Sequence, residues 1–167
     1  MSNLWPEDIT EDLVDTPVTL LNKYAGEISQ SLDSKIVAEV RRRNYNALGD
    51  LNKTVSQLTG NNIKPTPGPK FYYIFEIVAP SLDNYRYELF VISFDTPTYP
   101  AKLYLDEDIL KEIEPSLEDE YYGPLTVNDS SEMETMLNHI LNAPKTITII
   151  RSLLSLINES QINGVPH

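Results

Sequence analysis

Two neighbouring segments rich in aromatic and β-branched residues, 71–78 and 85–94, constrain the fold of this chain more than any other feature. Such residues favour β-strands, whereas the segment 80–84 between them contains Pro, Ser, Asp and Asn, which favour a turn. The pattern therefore predicts an antiparallel hairpin. Both faces of each strand carry apolar side chains, which indicates either strands in the interior of a sheet or a second face that binds a partner.

Strict alternation along the second strand predicts which of its side chains share a face of the sheet. It places Arg86 and Glu88 on one face together with Phe90. It places Tyr85 and Tyr87 on the other face. On this prediction the two tyrosines lie on the opposite side of the sheet from the Phe90 ring.

Further strands and helices are predicted from periodicity. Period-two alternation predicts a strand over 35–42, and a strand over 99–105 extends the hairpin into a three-stranded meander. Helical spacing of apolar residues predicts an N-terminal helix that begins at Thr16 and Pro17, a favourable cap followed by a first-turn proline. A short helix is expected over 106–113.

Two more helices are predicted near the C-terminus. Ser131 and Glu134 have the spacing of a capping box, which places the start of the first of these helices at Ser131. Pro144 starts the second helix, which is expected to fade out at Asn158. The second helix is predicted to bury an apolar stripe formed by Ile147, Ile150, Leu154 and Ile157.

These elements define an α+β fold. An antiparallel sheet of about four strands, the meander 71–105 plus the strand 35–42, is expected to pack through one face against the helices. The N-terminal helix and the C-terminal helix pair supply that layer.

The chain is predicted to form one domain over 16–158, because 167 residues are enough for a single hydrophobic core. Within it, residues 44–69 are predicted to be a loop insertion, since they end in a proline-rich stretch. An acidic N-terminal arm (1–15) and a flexible tail (159–167) are expected to flank the domain.

The composition offers few routes to catalysis. The chain has no Cys, which excludes thiol catalysis, zinc ribbons and iron–sulfur clusters. Its two histidines, His139 and His167, are not accompanied by a nucleophile or metal-binding motif. Acidic side chains over 106–120 could ligate a divalent cation, but their spacing is more typical of a solvated face. We therefore expect a non-enzymatic protein with no catalytic residue, metal or cofactor.

The charge is unevenly distributed along the chain. With 13 basic and 25 acidic residues the net charge is −12. A basic segment (35–70) holds two acids and seven bases, a net charge of +5. An acidic stretch (106–134) holds eleven acids and one base, a net charge of −10. The position of these two segments in the fold decides whether they neutralise each other or form separate surfaces.

The acidic stretch is the leading candidate for partner binding. Glu118, Asp119 and Glu120 lie next to Tyr121 and Tyr122, so negative charge and aromatic anchors occur together. Charge of this kind steers a basic partner, and aromatic side chains contribute much of the binding energy in interfaces. We therefore predict a protein-interaction module, with an inhibitor, immunity-type or chaperone-like role, that binds a basic protein.

A second hypothesis is a small-ligand or enzymatic site on the sheet. The chain has ten tyrosines, and Glu76, Arg86 and Glu88 could supply charge beside them. A closed pocket with convergent polar groups would favour this interpretation.

Nucleic-acid binding is the third hypothesis. It would use Arg41, Arg42 and Arg43 of the basic segment, with Tyr45 as a stacking residue. The net charge of −12 disfavours it because such a field repels phosphate.

The sequence also predicts a cytoplasmic protein without a membrane partner. No segment approaches the roughly 20 apolar residues that cross a bilayer. The N-terminus is acidic and lacks the basic and apolar regions of a signal peptide.

Overall fold

The computed structural model describes residues 15–43, 71–117 and 124–162. The strands in these ranges are β1 (Val37–Arg42), β2 (Phe71–Ala79), β3 (Tyr85–Phe94), β4 (Ala101–Leu105) and β5 (Leu125–Val127). The helices are α1 (Pro17–Ser31), α2 (Glu107–Ile113), α3 (Ser130–Leu141) and α4 (Pro144–Ile162), with a 3₁₀ turn at Glu114–Ser116. Most of the predicted arm (1–15), the predicted insertion (44–69) and the end of the predicted tail (159–167) lie outside the described residues.

The described strands form one antiparallel sheet whose order, β1-β2-β3-β4-β5, follows the chain. The α+β class, the hairpin and the meander are therefore confirmed. The sheet has five strands where about four were predicted. The additional strand, β5, is only three residues long, which is too short to produce a recognisable alternation.

Helix α1 begins as predicted. The hydroxyl of Thr16 accepts a hydrogen bond from the backbone N–H of Thr19 at 3.1 Å, and Pro17 occupies the first turn. The C-terminal part of α1 also contacts the sheet directly, because the hydroxyl of Ser29 accepts a hydrogen bond from the backbone N–H of Ala38 at 3.1 Å. This bond holds α1 beside β1.

The predicted start of α3 was wrong by a short distance. Its N-cap is Asp129, whose carboxylate accepts a hydrogen bond from the backbone N–H of Glu132 at 2.8 Å. The Glu132 carboxylate in turn accepts from the backbone N–H of Asn128 at 2.7 Å. Ser131 and Glu134 have the capping spacing too, but Asp129 comes first and caps at least as well as Ser.

Helix α4 differs from its prediction in length and in orientation. It continues to Ile162, beyond the predicted end at Asn158. Its fully buried side chains are Thr146, Leu153 and Ile157, whereas the other predicted stripe residues are only half-buried. Thr146 is buried because its hydroxyl donates a hydrogen bond to the carbonyl of Ile140 at 2.7 Å.

A β-bulge in β3 changes the predicted faces of the sheet. Phe75 pairs with Phe90, but the next residue of β2, Glu76, pairs with Glu88. Leu89 is therefore an extra residue in β3, opposite no residue of its own in β2.

The bulge reverses the orientation of the first half of β3. Tyr85 and Tyr87 lie on the same face as Phe90, and Arg86 and Glu88 lie on the opposite face. The prediction from strict alternation was wrong here, because one extra residue shifts a period-two pattern by a whole face.

The helices of the described ranges cover one face of the sheet and bury it. The Phe75 and Phe90 rings stack at the centre of this face, 5.0 Å apart. The core also contains aliphatic side chains from the other strands and from the helices, among them Leu21, Ile92, Leu103, Ile109, Met133, Leu137 and Leu153. The opposite face of the sheet also has buried side chains, Ile74, Val78 and Val91, which lie outside this core cluster.

No single helix in the described ranges is long and apolar enough to cross a membrane. Helices α3 and α4 reach that length and composition only as a pair, and the pair is bent by 56° at its junction.

Replacement of Phe75 by Ala tests this core. Phe75 is fully buried, so we expect its truncation to lower the free energy of unfolding by about 3–5 kcal/mol. Leu156→Ala is the control, since Leu156 is 51 % exposed and its truncation should cost below about 1 kcal/mol. Urea unfolding measures both, and equal losses would contradict the core described here.

Candidate functional site

The leading predicted site cannot be placed in the fold. Glu118, Asp119, Glu120, Tyr121 and Tyr122 all lie outside the described residues. Tyr45, the predicted stacking residue, does so as well. These predictions stay untested.

The three arginines of the basic segment, in contrast, lie at the end of β1 and contact other parts of the chain. Arg41 donates a hydrogen bond to Glu76 at 2.7 Å, and Arg43 lies 3.7 Å from the Glu88 carboxylate. The Arg42 guanidinium stacks over the ring of Phe71, 5.5 Å from its centroid. A nucleic-acid phosphate would have to compete with each of these intramolecular contacts.

Glu76 is the centre of an ion-pair network on the sheet face opposite the described helices. Its side chain is almost completely buried, and its two oxygens accept hydrogen bonds from Arg41 at 2.7 Å and from Arg86 at 2.9 Å. Arg86 also donates to Glu39 at 2.7 Å. The hydrogen bonds to Glu39 and then to Glu76 raise the pKa of Arg86. Two carboxylates and two guanidiniums thus neutralise one another across three strands.

This network bears on the second hypothesis, which grouped Glu76, Arg86 and Glu88. The structure brings Glu76 and Arg86 into contact, while Glu88 pairs with Arg43 instead. Because the carboxylates and guanidiniums bond to each other, the arrangement holds the three strands in register.

A different site is formed on the helix-covered side, between the β2–β3 hairpin and α4. We call it the hairpin–helix groove. It has a volume of about 550 Å³. Apolar and hydroxyl-bearing side chains line it: Leu82, Tyr85, Tyr87, Thr148, Ile149, Ser152, Leu153 and Leu156.

The rim of the hairpin–helix groove exposes large apolar side chains to solvent. Tyr85 is 47 % exposed and Leu156 is 51 % exposed, and they are two of the three large hydrophobic side chains that are exposed in the described ranges. Isolated exposed apolar residues are ordinary, but two that flank an apolar groove are typical of a binding surface.

Carboxylates surround one end of the groove. Lys145 forms ion pairs with Asp106 at 2.8 Å and Asp108 at 2.9 Å, and its backbone N–H donates to Glu112 at 2.9 Å. Two carboxylates therefore share one ammonium group, and a third binds the backbone beside it, which leaves this end negative. This negative charge also acts on the lining of the groove. The pKa of Tyr87 is raised first by burial and then by the nearby Asp106 carboxylate.

The other end of the groove is also acidic. Glu159 is exposed and follows Leu156 by three residues in α4, so the two side chains share a helix face. The groove is therefore an apolar surface bounded by negative charge at both ends of its α4 wall.

Sequence reasoning did not find this groove. It placed Tyr85 and Tyr87 on the opposite face of the sheet, and it did not single out Leu156. The sequence signal for the helix wall was weak, because Ser152 and Ser155 interrupt the leucines between Ser152 and Leu156. The tyrosines reach this wall only because of the bulge in β3.

Comparisons with known proteins give no family for this arrangement. No protein-family model, curated protein or solved structure matched the chain. Within the described ranges, no three His, Asp or Glu side chains are grouped so that they could hold a metal ion. Function must therefore be inferred from the geometry and charge of the chain itself.

Replacement of Glu76 by Gln tests the ion-pair network. The substitution keeps the shape of the side chain but leaves two guanidiniums facing a neutral amide, so we expect a loss of roughly 1–3 kcal/mol in the free energy of unfolding. Glu88→Gln is the matched control, since both members of its ion pair are half-exposed and a change within about 0.5 kcal/mol is expected. Chemical denaturation of the two variants measures the difference. Equal losses would mean that Glu76 has no special role.

The ion pair at Lys145 predicts a dependence of stability on pH. The hydrogen bond from Lys145 lowers the pKa of Asp106. Folding lowers this pKa, so the ionised carboxylate stabilises the fold above the ordinary Asp pKa of about 4, and the stabilisation is lost as the pH falls through the lowered value. In Lys145→Met we expect the pKa of Asp106 to rise, as measured by carboxyl NMR titration, and stability to depend less on pH in the acid range. Lys111→Met, in the exposed part of α2, should leave the pKa of Asp106 unchanged.

Proposed function

We propose that this protein is a non-enzymatic, cytoplasmic protein-interaction module that binds a basic protein partner in its hairpin–helix groove. An inhibitor, immunity-type or chaperone-like role is the most concrete form of this function. The observation that supports it is the groove itself, which combines an apolar lining, exposed apolar rims and acidic ends.

The length of the groove suits one face of a short helix. Its α4 wall runs from Thr148 to Leu156, which is about 12 Å along a helix axis. An amphipathic helix buries anchors at positions i, i+4 and i+7 over a similar length. The partner we propose is therefore an amphipathic helix.

The charges define the chemistry of that helix. Asp106 and Asp108 lie at one end of the groove wall and Glu159 at the other, so lysine or arginine residues that flank the apolar anchors would find carboxylates at both ends. Opposite charges at the rim accelerate association and orient the partner, while the apolar contacts supply most of the affinity.

A synthetic amphipathic helical peptide, with leucines at i, i+4 and i+7 and lysines at both ends, tests the proposal. We expect it to bind the full chain with an affinity that falls as salt is raised, because the flanking contacts are ionic. A second peptide with glutamates in place of the lysines should bind at least about tenfold more weakly. Fluorescence anisotropy measures both.

Two variants of the protein make this test specific to the groove. Leu156→Asp places a charge on the apolar rim and should weaken peptide binding by about tenfold or more. Tyr104→Ala removes an aromatic side chain that is exposed to a similar degree but lies outside the groove, and should leave binding unchanged. If neither peptide binds, or if Leu156→Asp binds as well as the parent chain, the proposed function is wrong.

A further inference from the structure

The α4 wall of the hairpin–helix groove contains four residues with the spacing i, i+3, i+4 and i+7. These residues all line the groove: Ile149, Ser152, Leu153 and Leu156. Residues with these separations are neighbours on one face of a helix. Where two helices pack, four such residues form a hole that takes a single large side chain of the facing helix. Helix α4 thus presents a complete hole of this kind to the groove.

Ser152 gives this hole its depth. The other three residues of the hole are large and apolar, whereas the Ser152 side chain ends one atom beyond Cβ and is exposed to solvent. Leu153, which is 6 % exposed, lies beside it and supplies an apolar floor. Ile149 and Leu156 lie one turn to either side and form its two ends. The side chain at position 152 therefore decides how much room a partner finds there.

The wall opposite α4 is made of large side chains. In the described ranges it consists of Leu82, Tyr85 and Tyr87. Tyr85 is 47 % exposed, and Tyr87 is half-buried. Aromatic rings pack favourably against other rings in stacked or edge-to-face arrangements. A side chain that enters the hole at Ser152 thus lies between an apolar helix face and two aromatic rings, which favours an aromatic side chain.

We infer that Ser152 determines the specificity of the hairpin–helix groove, because the partner helix places an aromatic anchor in the hole at Ser152. This inference rests on the proposed function, since it specifies the partner of the same groove. The aromatic anchor is the central one of the three apolar positions i, i+4 and i+7. Ser152 lies midway along the wall from Thr148 to Leu156, so the central anchor meets it whichever way the partner helix runs.

A pair of peptides tests this inference. Both keep the terminal lysines and the leucines at i and i+7 of the peptide proposed above, and their central position is Phe in one and Ala in the other. We expect the phenylalanine peptide to bind the full chain at least about tenfold more tightly, because a large side chain that fills a hole contributes much of the affinity of an interface. Fluorescence anisotropy measures this preference.

Variants of α4 show whether the preference comes from the hole. Ser152→Phe fills the hole, so we expect it to weaken binding of the phenylalanine peptide by about tenfold or more and to leave the alanine peptide bound as before. Ser152→Ala keeps the hole open and should retain the preference. Ser155→Phe is the matched control, because it adds the same ring to an exposed position of the same helix that does not line the groove.

Circular dichroism and thermal unfolding verify that the variants are folded. Both serines are exposed, so neither substitution has to fit a ring into the core. If Ser152→Phe unfolds, Ser152→Leu fills the hole with a smaller side chain and is expected to reduce the preference in the same direction.

The outcomes separate this inference from the proposed function. Loss of the preference in Ser152→Phe, with retention in Ser152→Ala and Ser155→Phe, supports it. A preference that persists in Ser152→Phe, or that falls equally in Ser155→Phe, overturns it. In that case the proposed function still stands if Leu156→Asp weakens peptide binding. If neither peptide binds the parent chain, both the proposed function and this inference are wrong.

Discussion

The β-bulge at Leu89 is the constraint on which the other features of the molecule depend. One extra residue in β3 turns Tyr85 and Tyr87 toward the helices and turns Arg86 toward the opposite face. The tyrosines can then form a wall of the hairpin–helix groove, and Arg86 can reach the buried carboxylate of Glu76 at 2.9 Å. Without the bulge, the hairpin would present its charges to the apolar core and its aromatic rings to the other side.

The ion pairs explain how a chain with a net charge of −12 tolerates a basic segment. Arg41 and Arg43 pair with carboxylates of β2 and β3, so this part of the basic segment is neutralised within the sheet. Lys145 is likewise shared between carboxylates. Four of the described cations, Arg41, Arg43, Arg86 and Lys145, are thus held in internal ion pairs, and the surplus of acids would act on a binding partner at long range.

Strong periodic patterns made much of the fold predictable. The hairpin, the meander and the cap at Thr16 follow from residues whose local preference agrees with the tertiary structure. The bulge was not predictable, because Leu89 is apolar and looks like any other residue of an alternating strand. The groove was missed for the same reason, because it forms only where the bulge turns the tyrosines toward α4. It also requires that α4 turns Leu153 toward the core, which its apolar spacing did not predict. The predicted site at 118–122 lies outside the described residues, so the structure neither supports nor opposes it.

The hydrogen bond between Ser29 and Ala38 has a consequence for the outer side of β1. A strand at the border of a sheet offers its backbone N–H groups to any extended chain that approaches, which is a common route to aggregation. The Ser29 hydroxyl already occupies the N–H of Ala38, and α1 lies beside the strand at that point. A second chain that tried to extend the sheet past β1 would first have to displace this helix. The first half of β1 is thereby closed to strand addition.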